Sequence, residues 1–222
     1  MTKAMFLDFF GTIVFEDNEM IKKISKKTAE RANNPCTWQE VNEYWWNRFS
    51  EMFEESYGED FLRQREIEII SLQETLDYFD AELDADKHAQ FIFDYWERPE
   101  IYKDAELFLK EVKVPVFILS NIDKLDLEKA ADYHHLHVEG LITSEDVRAY
   151  KPRVEIFKEG LKQAGCRPED VLHVGDSLKD DVQGAQKAGI KAVWINREKR
   201  NKPVHASPEF EVTRLTELFN YI

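Results

Sequence analysis

A single strand-like run, Ala4-Met5-Phe6-Leu7, stands at the start of the chain, and the other strand-like runs come only beyond about residue 101. Between them, from about 16 to 100, the apolar residues recur at helical spacing alone. This separation constrains the fold more than any other feature. Beyond 101, the β-rich runs Val114 to Ser120, Gly140 to Thr143, Val171 to Val174 and Ala192 to Ile195 alternate with helical patterns. One such helix is carried by Val154, Phe157, Leu161 and Ala164, opened by Pro152 and closed by Gly165; another runs from Asp181 to Ala188 and stops at Gly189. Strands alternating with helices imply parallel βαβ units, so the fold class is α/β. The first strand is expected to join the same sheet. Residues 1–15 and 101–222 then form one core, and 16–100 is a helical domain inserted after the first strand and hanging over the carboxyl edge of the sheet, where ligands bind in such folds.

The insertion has its own start signals. Thr37-Trp38-Gln39-Glu40 is a capping box. Trp38, Val41, Trp45, Phe49 and Met52 form one helical stripe; Ile69, Leu72, Leu76 and Phe79 a second; and His88, Phe91, Ile92, Tyr95 and Trp96 a third, after an Asp84 cap. Successive amphipathic helices predict a small bundle. Trp45 and Trp46 are adjacent, so only one of them can face its core.

Four polar clusters follow the strand-like runs or sit in neighbouring loops: Asp8 with Thr12, Ser120-Asn121, Lys151, and Gly175-Asp176-Ser177 with Asp181. A doubly wound, Rossmann-like parallel sheet brings all four to one crevice. Asp8, Asp176 and Asp181 would then crowd three negative charges. Two such charges about 4 Å apart repel by roughly 4 kcal/mol at an effective dielectric of about 20. Lys151 offsets one, and a bound divalent cation would offset the rest. Oxygen donors without His or Cys suit a hard ion, Mg2+. The Thr12 and Ser120 hydroxyls and the Asn121 amide are donors suited to phosphate oxygens.

The net charge of −14 argues against nucleic acid and against an anionic membrane surface as partners. No apolar stretch reaches spanning length, Met1-Thr2-Lys3-Ala4 leads straight into a strand without a leader pattern, and Cys36 and Cys166 have no metal-ligand spacing, so a cytoplasmic location is expected. His134, His135 and His137 read as a surface turn, Glu145 and Asp146 as the opening of a loop, and Glu51, Glu54, Glu55, Glu59 and Asp60 as a solvated helix face.

Taken in order, Asp8-Phe9-Phe10-Gly11-Thr12, Ser120-Asn121, Lys151 and Gly175-Asp176-Ser177 with Asp181, followed by Gly184-Ala185 and Ala188-Gly189, resemble the motifs of the haloacid dehalogenase-like hydrolase superfamily over nearly the whole chain. The resemblance implies that the insertion is a helical cap and that Asp8 is a nucleophile forming a covalent aspartyl intermediate. It implies that Asp176 and Asp181 hold Mg2+, directly or through water, together with Asp8 and the main-chain carbonyl of Phe10. Lys151, with Thr12 or Ser120, would steady the transferred group. Asp180, one step from Asp181, is the alternative acid.

Phe10 departs from the family's phosphatases, which usually carry a second Asp there to protonate the leaving group. The family's dehalogenases carry an aromatic Tyr at that position, since a halide leaves without a proton. They also lack an acid matching Asp176, work without metal, and use an Arg from the cap entrance, for which Arg31 and Arg48 are the candidates. The expected function is therefore a Mg2+-dependent phosphatase acting on a small phosphate ester or acyl phosphate. The alternatives are a metal-free 2-haloacid dehalogenase and a catalytically weak binding protein.

Overall fold

The computed structural model describes residues 2–203 and 207–222. The chain divides into two compact units, one made of the segment up to Glu16 with everything from Pro99 onward, the other of Asp17–Arg98. In the first, β1 (Ala4–Leu7) opens the chain. The second holds α1 (Asn18–Arg31), α2 (Trp38–Glu55), α3 (Gln64–Tyr78) and α4 (Ala85–Glu97). The first unit then resumes with α5 (Lys103–Glu111), β2 (Val116–Ser120), α6 (Lys124–Tyr133), β3 (Gly140–Thr143), α7 (Ser144–Val147), α8 (Glu155–Ala164) and β4 (Val171–Gly175). It closes with α9 (Gly184–Lys187), β5 (Lys191–Ile195) and β6 (Glu211–Val212). None of its helices is long and apolar enough to cross a membrane, among the described residues.

The strands form one six-stranded parallel sheet in the order β3-β2-β1-β4-β5-β6. This is the α/β, Rossmann-like core. β1, the most buried strand, is central because all four of its residues are apolar and it can be covered on both faces. Its register sets Leu7 beside Ile118 of β2 and Val174 of β4, so the three strands finish level and their following loops share one edge. Chain order reverses between β1 and β4, the place where crevices open in such sheets. On one face Phe6, Phe117, Leu119, Ile142 and Trp194 pack with Ile156 and Phe157 of α8. Gly160 lets α8 approach, since a Cβ there would stand 3.0 Å from the Phe6 ring.

Several local expectations need correction. The run from Val114 forms a strand only from Val116, because Pro115 has no amide to donate, although its carbonyl accepts from Met5 N–H at 2.8 Å. α8 starts at Glu155 rather than at Pro152. The helix predicted from Asp181 begins earlier, as a π-helical turn over Leu178–Gln183 capped by Ser177. Glu145 and Asp146 do not open a loop: Asp146 completes a capping box with Thr143 at the start of α7, and Glu145 accepts from Lys124 N–H at 2.9 Å. β6 is two residues long, too short to show a period.

In the helical unit, the Thr37–Glu40 capping box starts α2 and Asp84 caps α4 through Lys87 N–H. Trp45 is 2% exposed and donates its indole N–H to Ser71 Oγ at 3.1 Å, while Trp46 is 65% exposed. Ile67 rather than Ile69 joins Leu72 and Leu76 in the core, and Phe91 faces solvent. Glu68 of α3 is also buried. Burial pushes its carboxyl well above the usual range, and Asp17 at the start of α1 adds a like charge. The unfolded chain ionises Glu68 above about pH 4.3 while the folded unit keeps the proton to higher pH. The group's contribution is therefore intact at low pH and is lost as pH rises. Glu68→Gln should raise unfolding free energy at pH 7.5 by about 1–3 kcal/mol and change it little at pH 4. Urea unfolding at both pH values checks this, and an equal shift at both would contradict it.

Candidate active site

β1 runs one residue past its last paired position: Asp8 N–H donates to Val174 O at 2.9 Å. The chain then turns sharply. The amides of Thr12, Ile13 and Val14 all donate to Phe9 O, at 3.3, 2.8 and 3.0 Å. Gly11 has φ +76°, and a Cβ there would lie 2.7 Å from Asp176 Cγ, so the turn needs glycine for both conformation and space. Asp8 and Thr12 are buried, and the Thr12 hydroxyl has no hydrogen-bond partner among the described residues.

Lys151 is the centre of the cluster. Its side chain is 3% exposed, and its ammonium donates to Asp8 Oδ1 at 2.6 Å, Asp181 Oδ1 at 2.7 Å and Leu119 O at 3.1 Å. Its own amide donates to Asn121 Oδ1 at 2.8 Å. Asn121 in turn is fixed by Ser144 Oγ, which donates to its carbonyl at 2.7 Å. Asn121 thus holds the lysine loop. Ser120 is buried at the end of β2, its Oγ accepting from Ile122 N–H at 3.4 Å.

The loop after β4 supplies the other acids. Asp181 Oδ1 also accepts from His173 Nε2 at 3.1 Å, and Oδ2 accepts from Ser177 N–H at 3.0 Å. Asp180 turns away to accept from Ser177 Oγ at 3.1 Å, so the residue that meets Lys151 is Asp181. Asp176 accepts from Arg200 at both its carbonyl, 2.7 Å, and Oδ2, 3.1 Å, and Trp194 Nε1 donates to the same carbonyl at 2.8 Å.

One carboxylate oxygen from each of Asp8, Asp176 and Asp181 lies within 4.8 Å of the others. The electrostatics are uneven. Burial, opposed by Lys151 and aided by Asp181, pushes Asp8 up to about 7. Burial and the charges of Asp8 and Asp181 push Asp176 up to about 8. Burial would also raise Asp181, but Lys151 and His173 outweigh it and hold it well below the usual carboxylate range. Burial lowers His173, so the neutral ring donates from Nε2 to Asp181. Two carboxylates burdened by like charge, beside an all-oxygen donor set, form a cluster that can hold a cation.

The model of the haloacid dehalogenase-like hydrolase family matches residues 2–189. The chain belongs to that family. A phosphoserine phosphatase from Thermus thermophilus is 34% identical over 138 residues, covering 59% of this chain and 55% of its own length. A glyceraldehyde 3-phosphate phosphatase from Methanothermobacter thermautotrophicus is 40% identical over 65 residues, covering 29% of this chain and 28% of its own. The chain thus spans about half the length of the first of these curated relatives and less of the second. In structure, an L-2-haloacid dehalogenase from Xanthobacter autotrophicus superposes with a TM-score of 0.77 at 20% identity, covering 98% of this chain and 97% of that one, a likeness of fold alone.

The family core gathers Asp8, Thr12, Ser120, Asn121, Lys151, Asp176 and Asp181 around the ends of β1, β2 and β4. Phe10 is half-buried in the turn, its ring edge-on to Phe9 at 5.2 Å. Of the two arginines considered from the helical unit, Arg48 is engaged there by Glu74 at 2.7 Å and by Glu51, and Arg31 is exposed. His134 bonds the Pro99 carbonyl and joins no metal cluster among the described residues. His173, Trp194 and Arg200 were not foreseen. Only His173 gave a signal, as a polar residue inside a buried strand, which requires a partner.

Gly175 carries a strict steric demand, since a Cβ would stand 2.1 Å from Asp181 Cγ. Gly175→Ala should displace Asp181 from Lys151 and lower stability by about 1–3 kcal/mol, measured by urea unfolding. An unchanged midpoint would contradict this packing.

Proposed function

We propose that the protein is a Mg2+-dependent phosphohydrolase of a small phosphorylated molecule, working through an aspartyl-phosphate on Asp8. The observation that carries this reading is the Lys151 ammonium shared between Asp8 and Asp181, with Asp176 close by. A nucleophilic carboxylate needs one oxygen held and one available. Lys151 binds Asp8 Oδ1 and favours its ionised form, which leaves Oδ2 to attack phosphorus. The phosphorus–oxygen bond to the leaving group breaks as the Asp8–phosphorus bond forms. Water then attacks the aspartyl-phosphate, releasing phosphate and restoring the Asp8 carboxylate. Lys151 and the Thr12 and Ser120 hydroxyls offer donors to the phosphoryl oxygens, and Asn121 keeps the Lys151 loop in place.

Asp8, Asp176, the Phe10 carbonyl and Asp181, the last through water, are the groups we assign to Mg2+. When bound, Mg2+ supplies positive charge that offsets the carboxylates and the charge developing on the phosphoryl oxygens. Asp181 suits an indirect role because both its oxygens already accept hydrogen bonds.

Phe10 favours a second reading, hydrolysis of short 2-haloacids, because an aromatic residue offers no proton and a halide needs none. A parallel screen of phosphate and halide release, with and without Mg2+, decides between them, with Asp8→Asn as the inactive control. Chelator-insensitive halide release would replace the first reading by the second. No Asp8-dependent turnover at all would leave a binding role.

The missing acid also makes a prediction about leaving groups. A general acid contributes about 10²–10⁴-fold to such steps. Aryl and acyl phosphates should therefore be cleaved at least about 100-fold faster than alkyl phosphates, compared as kcat/KM. Phe10→Asp should narrow that gap. Equal rates on alkyl phosphates in the unaltered protein would show that another group protonates the leaving oxygen.

A further inference from the structure

Arg197 lies in none of the motifs, yet it reaches the nucleophile turn from 185 residues away in sequence. It follows β5 with only Asn196 between, and its side chain is 10% exposed. Its guanidinium grips Asp104 at two points, Nη1 to Oδ1 at 2.9 Å and Nη2 to Oδ2 at 3.2 Å. Asp104 stands in the first turn of α5 and also accepts from Leu215 N–H at 2.7 Å. The guanidinium lies 3.7 Å from the centre of the Tyr102 ring. Held in this way, Arg197 donates from Nη2 to the main-chain carbonyl of Thr12 at 2.6 Å.

The nucleophile turn is thereby fastened from two directions. Its amides converge on Phe9 O, and the Thr12 carbonyl is fixed from outside by Arg197. The peptide between Thr12 and Ile13 is held at both ends, by Arg197 at the carbonyl and by Phe9 O at the amide, which restrains the direction of the Thr12 Cα–Cβ bond. The Thr12 side chain ends in a buried hydroxyl without a partner among the described residues, a costly state unless a ligand oxygen meets it. Arg197 itself keeps a buried Nε without a partner among the described residues, which a simple space-filling residue would avoid. A rigid guanidinium fork bridging a carboxylate and one particular carbonyl is suited to orientation.

We propose that Arg197 is a positioning residue of the reaction: it holds the Thr12 peptide so that the Thr12 hydroxyl faces the group being transferred. This rests on the reading of Asp8 as the nucleophile and Thr12 as a donor to the phosphoryl oxygens. The effect belongs in kcat, because a misdirected donor is missed most as charge develops.

The test is a double-mutant cycle on p-nitrophenyl phosphate hydrolysis with Mg2+, using Arg197→Met, Thr12→Val and the double variant. Arg197→Met should lower kcat by about 10–100-fold with KM changed less than about 3-fold. In the Thr12→Val background the same change should cost no more than about 3-fold, because the hydroxyl it orients is already gone. Effects that multiply would overturn the proposal. Arg197→Lys, which keeps charge but not the fork, should recover thermal stability more than kcat; full recovery of kcat would also overturn it. Amide hydrogen exchange reads the same question without turnover. Arg197→Met should speed exchange in residues 9–14 and leave β2 and β4 unchanged, whereas faster exchange throughout the sheet, or none in the turn, would reject the positioning role. If the unaltered protein releases no Asp8-dependent phosphate, the proposed function falls, and the exchange experiment still decides the role of Arg197.

Discussion

The Lys151 ammonium between Asp8 and Asp181 is the interaction on which the rest of the site depends. Removing it would leave two carboxylates buried side by side without a counter-charge, a state that costs several kcal/mol per ion even after relaxation. Its presence lets two of the three acids be withdrawn from water and still stay close. The third, Asp176, has Arg200 as its charged partner among the described residues, and that pair is partly exposed. The cluster is thus locally short of positive charge and could hold a cation.

The fold makes this arrangement through register. β1 ends beside β2 and β4, so Asp8, Ser120 and the Asp176 loop emerge from one edge without any long excursion of chain. Closeness is then allowed by two glycines. Gly11 gives Asp176 its space, and Gly175 gives Asp181 its space. Each carboxylate occupies the volume that a Cβ on the neighbouring loop would take, so backbone and charge are packed as one unit. Asn121 and His173 complete the frame, one holding the lysine loop by its amide, the other holding Asp181 from within β4.

Much of this was legible in the residues. The β-rich runs and their spacing named the sheet, because buried parallel strands are continuous apolar runs and leave a strong pattern. The loops were legible because Asp8 and Asp176 sit directly after those runs and Lys151 directly before a Pro. Asp180 and Asp181 could not be separated by pattern: they differ in which way a π-helical turn points each side chain, and that turn left no periodic trace. β6 was too short to register, and α7 hid behind two acids that read as the opening of a loop. Arg197 and Arg200 lie in an ordinary run of charges after β5, and their roles arise only where the chain doubles back over 185 and 24 residues. Long-range partners of surface-like charges carry no local signature. His173 was the exception that pattern could have caught.

The three acids also differ in how freely they can respond to a ligand. Asp181 accepts from Lys151, His173 and the Ser177 amide, so both of its oxygens are committed and it is bound to the frame. Asp8 has one oxygen held by Lys151 and one not so held. Asp176 is anchored at its carbonyl by Trp194 and Arg200, while its carboxylate is paired, among the described residues, with the half-exposed Arg200 side chain. The gradient runs from a carboxylate committed at both oxygens, through one held by Lys151 at a single oxygen, to one paired with a half-exposed arginine. Three identical side chains acquire three different capacities, and the donors that surround them, rather than the carboxylates themselves, make the difference.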